Sequence, residues 1–447
     1  MRKRTVKILT VIGITVVALG VIYAIAVGVS SAKLRRAYAD LQKDGRPMKL
    51  ADVIPPDVPD AENAALLYES AALLLKAQPA PDEKDGNLPD YLRGLYNKFV
   101  TGSLEPDKLA EFKQLIEQDI VTQALSLVEQ GTTRKSCRFD HDYNAGFNML
   151  LPHLADLRDI VRILGARSCL EAEAGRPDDA WNLALTQLRL ADALRSEPIL
   201  ISFLVRMASI GTTCDTIQRI SKIAPPNEEQ YKTVESLLSD YEDRKPLILA
   251  LDGERLLCGE WAFNLLRTGS ARDLMVNINS DSGSGEVLLR LYSAFKPLLL
   301  ADQAAYMRTM DEYTRFAQQS SPPNDVSTID RKGEQLWSRL NVVTSMLVPA
   351  ISRVNERYWE TIAQMRITRA GLAVLQEKKT QGAFPQTLEK LKNLDDPFSK
   401  EPLHYKSEGQ GFIIYSVGSD HKDNGGSPKK KKQKTDFDIV WSYPGGQ

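Results

Sequence analysis

The sequence predicts a mainly α-helical protein. It has a single N-terminal transmembrane helix, an α-helical domain, and a small C-terminal α+β module with a three-stranded antiparallel sheet packed on a long helix. Three observations predict this. Ile8 to Val29 is an uncharged apolar run. From about residue 48 to 347, apolar residues recur at the helical period of 3.6. Beyond about residue 400 the period falls to the alternation of strands.

The basic tail "MRKRTVK", residues 1–7, precedes 22 residues without a charge, "ILTVIGITVVALGVIYAIAVGV". As a helix this run reaches about 33 Å, enough to cross a hydrocarbon core of about 30 Å. Ser30 and Ala32 supply the small residues of a processing site, but a cleaved signal core has only about 7–15 residues. The run, residues 8–29, therefore reads as an uncleaved signal anchor. Basic residues flank both ends: Arg2, Lys3, Arg4 and Lys7 before, Lys33, Arg35, Arg36, Lys43 and Arg46 after. The short, densely basic tail sets the orientation, because long domains translocate largely regardless of charge. The expectation is a single-pass protein of the bacterial inner membrane, its bulk exported to the periplasm or cell exterior; the alternative is a cytoplasmic bulk.

Beyond the membrane run, "SAKLRRAYADLQKDG" continues the helix until Gly45-Arg46-Pro47 stops it. Asp60 is the expected N-cap of a helix carrying Ala64, Leu67, Ala71, Leu74 and Leu75 on one face. Another helix is expected from Pro106 to Gln130, ended by Gly131. "AGRPDDAWNLALTQLRLADAL" reads as a helical-hairpin turn, although no repeat near 34 residues recurs. Further helices run from Pro225-Pro226 to Tyr241 and from Pro246 to Leu266, and "NINSDSGSGEV" and "QQSSPPNDVSTID" read as flexible breaks. Residues 30–347 are thus an α-helical exported domain, and 348–447 a separable α+β unit.

Composition narrows the function classes. With 57 basic and 58 acidic residues the net charge is −1, which gives no electrostatic footprint for nucleic acid. Cys137, Cys169, Cys214 and Cys258 form no CxxC pair. Two disulfides are arithmetically open, but "GARSCLEAEAG" and "ERLLCGEWAF" are helix patterns in which cysteine acts as a small hydrophobe, so buried thiols are expected.

In the last hundred residues, "AISRVNERYWETIAQMRITRAGLAVLQEKK" gives a long amphipathic helix, and "GAFPQTLEKL" ends it with a short helical turn. "LHYKS" and "GFIIYSV" flank a hairpin signal, Glu408-Gly409-Gln410-Gly411, and "FDIVWSY" is a third strand. This order resembles the globular half of the major pseudopilin of type II secretion systems. The matching residues are Gly382, Phe384, Pro385 and Leu388; Asp396, Pro397, Phe398 and Pro402; Tyr415, Ser416, Gly418 and Asp420; Gly425 and Gly426; and Asp438 with Ile439. The resemblance covers about residues 350–447. A prepilin's processing site and helix-opening glutamate are missing from the N-terminal run, which points to a reused module and not to a pilus subunit.

The resemblance implies a calcium loop, and the residue types fit. Asp420, Asp423, Asn424, Asp436 and Asp438 supply hard oxygens where the second strand ends and the third begins. Against this stands a solvated acidic loop neutralised by Lys429 to Lys432 and Lys434. That lysine run reads as a loop tip or a contact with anionic lipid or glycan, not as a nucleic-acid signal. Asp140, His141, Asp142 and His153 offer the donors of a metal site, but they match no metal-ligand spacing, and ordinary surface roles are expected of them. Glu254 and Glu260 pose as paired carboxylates, as many helical pairs do. No GxSxG, HExxH, P-loop or dinucleotide turn occurs. The expected function is a non-enzymatic interaction or scaffold protein with an unknown protein partner. The alternative is an envelope hydrolase with its site between helices of residues 135–260.

Overall fold

The computed structural model describes residues 2–82, 86–269, 283–319, 341–388, 394–428 and 436–443. Over these the chain is mainly helical, with one small sheet near the C-terminus, in the expected fold class. The lysine run at 429–434 and most of the two breaks expected near residues 277 and 320 lie outside the described residues.

Helix α1, Arg2–Lys43, is one continuous helix of 42 residues. Its outer part is bare: Ile8, Val17 and Ile25 are 60%, 67% and 60% exposed. It is long and apolar enough to span a membrane. Its last turns differ, because Leu34, Ala37 and Leu41 fall on one stripe and are buried in the body. Gly45 ends the helix with φ +67°, where its amide bonds the Gln42 carbonyl and the Arg46 amide bonds that of Leu41.

The body continues with α2 (Ala65–Lys76), α3 (Leu88–Val100), α4 (Pro106–Ile116) and α5 (Asp119–Thr132). Two sequence expectations are corrected here. The helix from Pro106 to Gln130 is two helices, broken at Glu117-Gln118. Gly131 lies inside α5, where a Cβ would overlap the Tyr68 ring. Asp60 does not cap α2; Asn63 Oδ1 accepts the Ala65 amide at 3.1 Å. The hairpin of α6 (Pro152–Glu173) and α7 (Pro177–Leu190) turns at Gly175, φ +76°, as its sequence implies. Helix α8 (Leu200–Ile223) is apolar enough to pass for a membrane span, but 67% of its most apolar stretch is buried in the body, so it is the core helix.

Helices α9 (Glu228–Asp240), α10 (Lys245–Gly253) and α11 (Trp261–Arg267) follow, with a wider π turn at Glu254–Glu260 between the last two. Helices α12 (Gly283–Ala294) and α13 (Lys296–Ala317) come next, and α13 is the main partner of α1. The short α14 (Val342–Leu347) leads into α15 (Pro349–Gln381), a helix of 33 residues capped by left-handed Gly382. The described part of "GAFPQTLEKL" forms no helical turn after that cap.

Strands β1 (His404–Glu408), β2 (Gly411–Ser416) and β3 (Ile439–Tyr443) form an antiparallel sheet in the order β1-β2-β3. Register is fixed by pairs such as Tyr405 with Ile414, and Ile414 with Trp441. The sheet packs on α15, whose other side packs on α8 and α9. There Arg369 is held by Glu235 and Glu242 at 2.6 Å each, and Arg366 by Glu242 at 2.7 Å. One apolar core runs from Leu34 to Tyr443 without a break at residue 348.

Candidate functional site

Two places gather polar side chains of chemical interest. The first is the C-terminal loop, organised by Asp396, which is fully buried. Its carboxylate accepts the amides of Phe398 and Val417, each at 2.9 Å, and the Ser416 hydroxyl at 2.7 Å. One side chain thereby ties the turn before β1 to the end of β2.

Beyond it the five predicted ligands fall into separate groups. Asp420 accepts the Asp436 amide at 2.8 Å and the Lys422 amide at 3.0 Å. Asp438, almost fully buried, accepts the amides of Gly426 at 2.7 Å, Asn424 at 3.2 Å and Ser427 at 3.2 Å. The Asn424 amide nitrogen donates to the Lys422 carbonyl at 3.1 Å. Asp423 turns away to the Gly425 amide at 2.8 Å, a bond that holds its carboxyl below the usual range. The Asp436 carboxylate lies 3.5 Å from the Lys422 ammonium. Asp420, Asp423 and Asp438 order the loop through backbone amides.

The second place was not anticipated as a unit. His141 and His153 are not surface residues: their side chains are 2% and 4% exposed. Both aim Nε2 at Glu197, whose side chain is 3% exposed. His141 Nε2 lies 3.3 Å from Oε1, and His153 Nε2 lies 3.0 Å from Oε1 and 3.2 Å from Oε2. Among the described residues this is the one group of three His, Cys, Asp or Glu ligand atoms within 4.8 Å of one another.

Local structure explains the convergence. Asn63 clamps the segment before His141, accepting the Arg138 amide at 2.9 Å and donating to its carbonyl at 2.8 Å. Pro152 starts α6 and leaves His153 in its first turn. Glu197 sits in the linker between α7 and α8, before Pro198, whose carbonyl presses on Gly253; a Cβ there would collide with it. Phe139 stacks on the His153 ring at 4.2 Å, and Tyr143 meets His141 edge-on at 5.7 Å.

Burial pushes the Glu197 carboxyl up, but hydrogen bonds from His141 and His153 outweigh it and hold the group at about 2. It is a buried, ionised carboxylate orienting two imidazoles, an arrangement that can bind a metal or relay a proton. Asp140 and Asp142 are not among the three donors, and the Asp142 carboxylate accepts the Asn144 amide at 3.1 Å. Sequence reasoning missed Glu197 because nothing in "RSEPIL" marks it, and the 12- and 44-residue separations match no ligand spacing. The one available signal was that two of only four histidines lie close together.

Glu254 and Glu260 have different settings. Glu260 accepts the Tyr38 hydroxyl at 2.5 Å and the Gln303 amide at 3.1 Å, whereas burial pushes the Glu254 carboxyl up to about 7. All four thiols are free, with Cys169 and Cys214 fully buried. A recess of about 690 Å³ opens between the end of α3, α6 and α8, lined by Tyr96, Phe99, Asp215, Arg219 and Lys222. No known family, curated protein or solved structure matches this chain.

Proposed function

We propose that this chain is a membrane-anchored, non-enzymatic interaction or scaffold protein of the bacterial envelope. Its body lies outside the inner membrane, and its C-terminal module is pseudopilin-like and calcium-capable. The single observation that carries the reading is the continuity of α1. The same rigid helix is bare and apolar over one stretch and buried in the body over the next. A body joined in this way is held at a fixed distance from the bilayer. The contact of Tyr23 with Phe295, at 5.6 Å, supports this. Tyr23 lies about 9 Å inside the end of the apolar run at Val29, so the corner of the body at Phe295 lies beside the outer part of that run.

The recess beside α8 offers an apolar wall with charges of both signs, which suits a protein segment. Crosslinking of the detergent-solubilised chain, with photo-reactive groups at Arg219 and Lys222, tests it. A discrete partner adduct supports the reading, and adducts no more discrete than those from exposed Lys232 speak against it. Calcium at millimolar concentration is expected to raise the melting temperature of the full chain, and Asp420→Ala to abolish the rise; an unchanged melt removes calcium from the proposal.

One observation favours the second reading, an envelope hydrolase with its site between helices of residues 135–260. The His141–Glu197–His153 group falls inside that region.

A further inference from the structure

We infer that His141, His153 and Glu197 form a binding site for a divalent first-row transition metal ion of the zinc type. Three features of the geometry carry this. The donor set is two imidazole nitrogens and one carboxylate oxygen, which suits zinc and its neighbours and not calcium or magnesium, ions that prefer oxygen-only shells. Tetrahedral zinc with bonds of about 2.0–2.2 Å holds neighbouring donor atoms about 3.4 Å apart. The nitrogen-to-oxygen separations here are 3.0 to 3.3 Å, close to that spacing, so an ion bound at both Nε2 atoms takes the place of the protons shared with Glu197, and each neutral imidazole then carries its proton on Nδ1.

Third, the rings are already held in position. Phe139 stacks on His153, Tyr143 packs against His141, and the two imidazoles lie 4.7 Å apart at 36°. The immobilisation that a metal site must impose is therefore built into the fold. A small apolar cluster of Tyr143, Ile199 and Leu257, separate from the main core, adjoins the site through Tyr143. It lowers the local dielectric and strengthens metal–carboxylate attraction.

The three donors come from the segment before α6, the first turn of α6 and the linker before α8. A bound ion therefore cross-links three stretches of chain, and binding free energy adds to folding stability. Three protein donors leave the fourth position of a tetrahedral ion to water or a small ligand. The site is independent of the C-terminal loop and of the scaffold reading.

The full-length chain in detergent, stripped with chelator, is titrated with Zn²⁺ and separately with Co²⁺. The expected result is one equivalent bound, a visible Co²⁺ ligand-field band of tetrahedral intensity, and a higher melting temperature. Glu197→Gln and His153→Ala should lose all three, while Lys232→Ala, in an exposed pair on α9, keeps them. Zinc K-edge absorption of the loaded wild type should show imidazole nitrogen among donors at about 2.0–2.1 Å, a readout that stands even where a variant does not fold. The inference is overturned if the wild type takes up no stoichiometric metal, if a folded Glu197→Gln or His153→Ala variant binds like the wild type, or if the zinc shell lacks imidazole.

Discussion

Gly371, in the interior of α15, lies directly against the indole of Trp441 on β3, and a Cβ at that position would overlap the ring. Glycine in a helix interior costs about 1 kcal/mol relative to alanine, so its presence here needs a packing reason. The indole supplies it: Trp441 is 1% exposed and stacks the sheet onto the helix.

Gly371→Ala is therefore expected to destabilise the protein by about 1–3 kcal/mol, the usual cost of overpacking, despite alanine's better helix propensity. Thermal melts check the sign, and tryptophan fluorescence should shift as Trp441 is displaced. A higher melting temperature would mean that the sheet sits further from α15 than the structure has it.

A buried ion pair at the base of α1 and an exposed one on α9 should differ sharply in worth. Arg46 and Asp252 meet at 2.7 Å with side chains only 8% and 5% exposed. Arg46→Ala leaves Asp252 with Arg255 at 3.5 Å as its remaining partner, and is expected to cost about 3 kcal/mol. Lys232→Ala breaks a pair whose members are 69% and 76% exposed, and should cost under about 0.5 kcal/mol. Denaturant midpoints of the two variants give the comparison, and equal costs would refute the burial argument.

Glu254 gives the chain a defined pH dependence. Burial raises its carboxyl from 4.5 to about 7, against a partial offset from Cys258. Between those values the folded state holds a proton that the unfolded state has released, so stability is full below about 4.5 and falls as pH rises through about 7. Glu254→Gln should match the wild type at pH 4 and exceed it at pH 8 by up to about 3 kcal/mol. Chemical denaturation at both pH values measures this; a difference that does not grow with pH assigns the effect to something other than ionisation.

Residues 348–447 expressed alone should not melt cooperatively. Helix α15 buries one side under the sheet and the other against α8 and α9, and Arg366 and Arg369 find their carboxylates only on the helical body. Excision exposes that second side and removes the carboxylates from both guanidinium groups, leaving Arg366 its bond to the Asp395 carbonyl at 2.7 Å. A sharp two-state melt by circular dichroism would show that the sheet and α15 suffice as a core.

Legibility in the sequence followed the range of the interactions. The membrane run, the stop at Gly45, the hairpin at Gly175 and the three strands were legible because period, turn chemistry and charge act locally. The break at Glu117-Gln118 was not, since both flanking helices carry continuous helical patterns and no breaker residue separates them. Asn63, and not Asp60, accepts the first amide of α2, and it also clamps Arg138, 75 residues away, which no local rule encodes. Glu197 is the extreme case. Its partners lie 44 and 56 residues upstream, and only the packing of α6 beside α8 brings them together.

In the proposed function, a bare apolar helix holds a folded body on the outer side of a membrane. A dual reporter fused after Gln447, active as a phosphatase only when exported and fluorescent only when cytoplasmic, tests it in membrane fractions. Export activity in the pellet, resistant to carbonate extraction and lost when residues 8–29 are replaced by a soluble helix, is the predicted result. Cytoplasmic fluorescence, or activity released into the soluble fraction with the N-terminal run cleaved away, would contradict it.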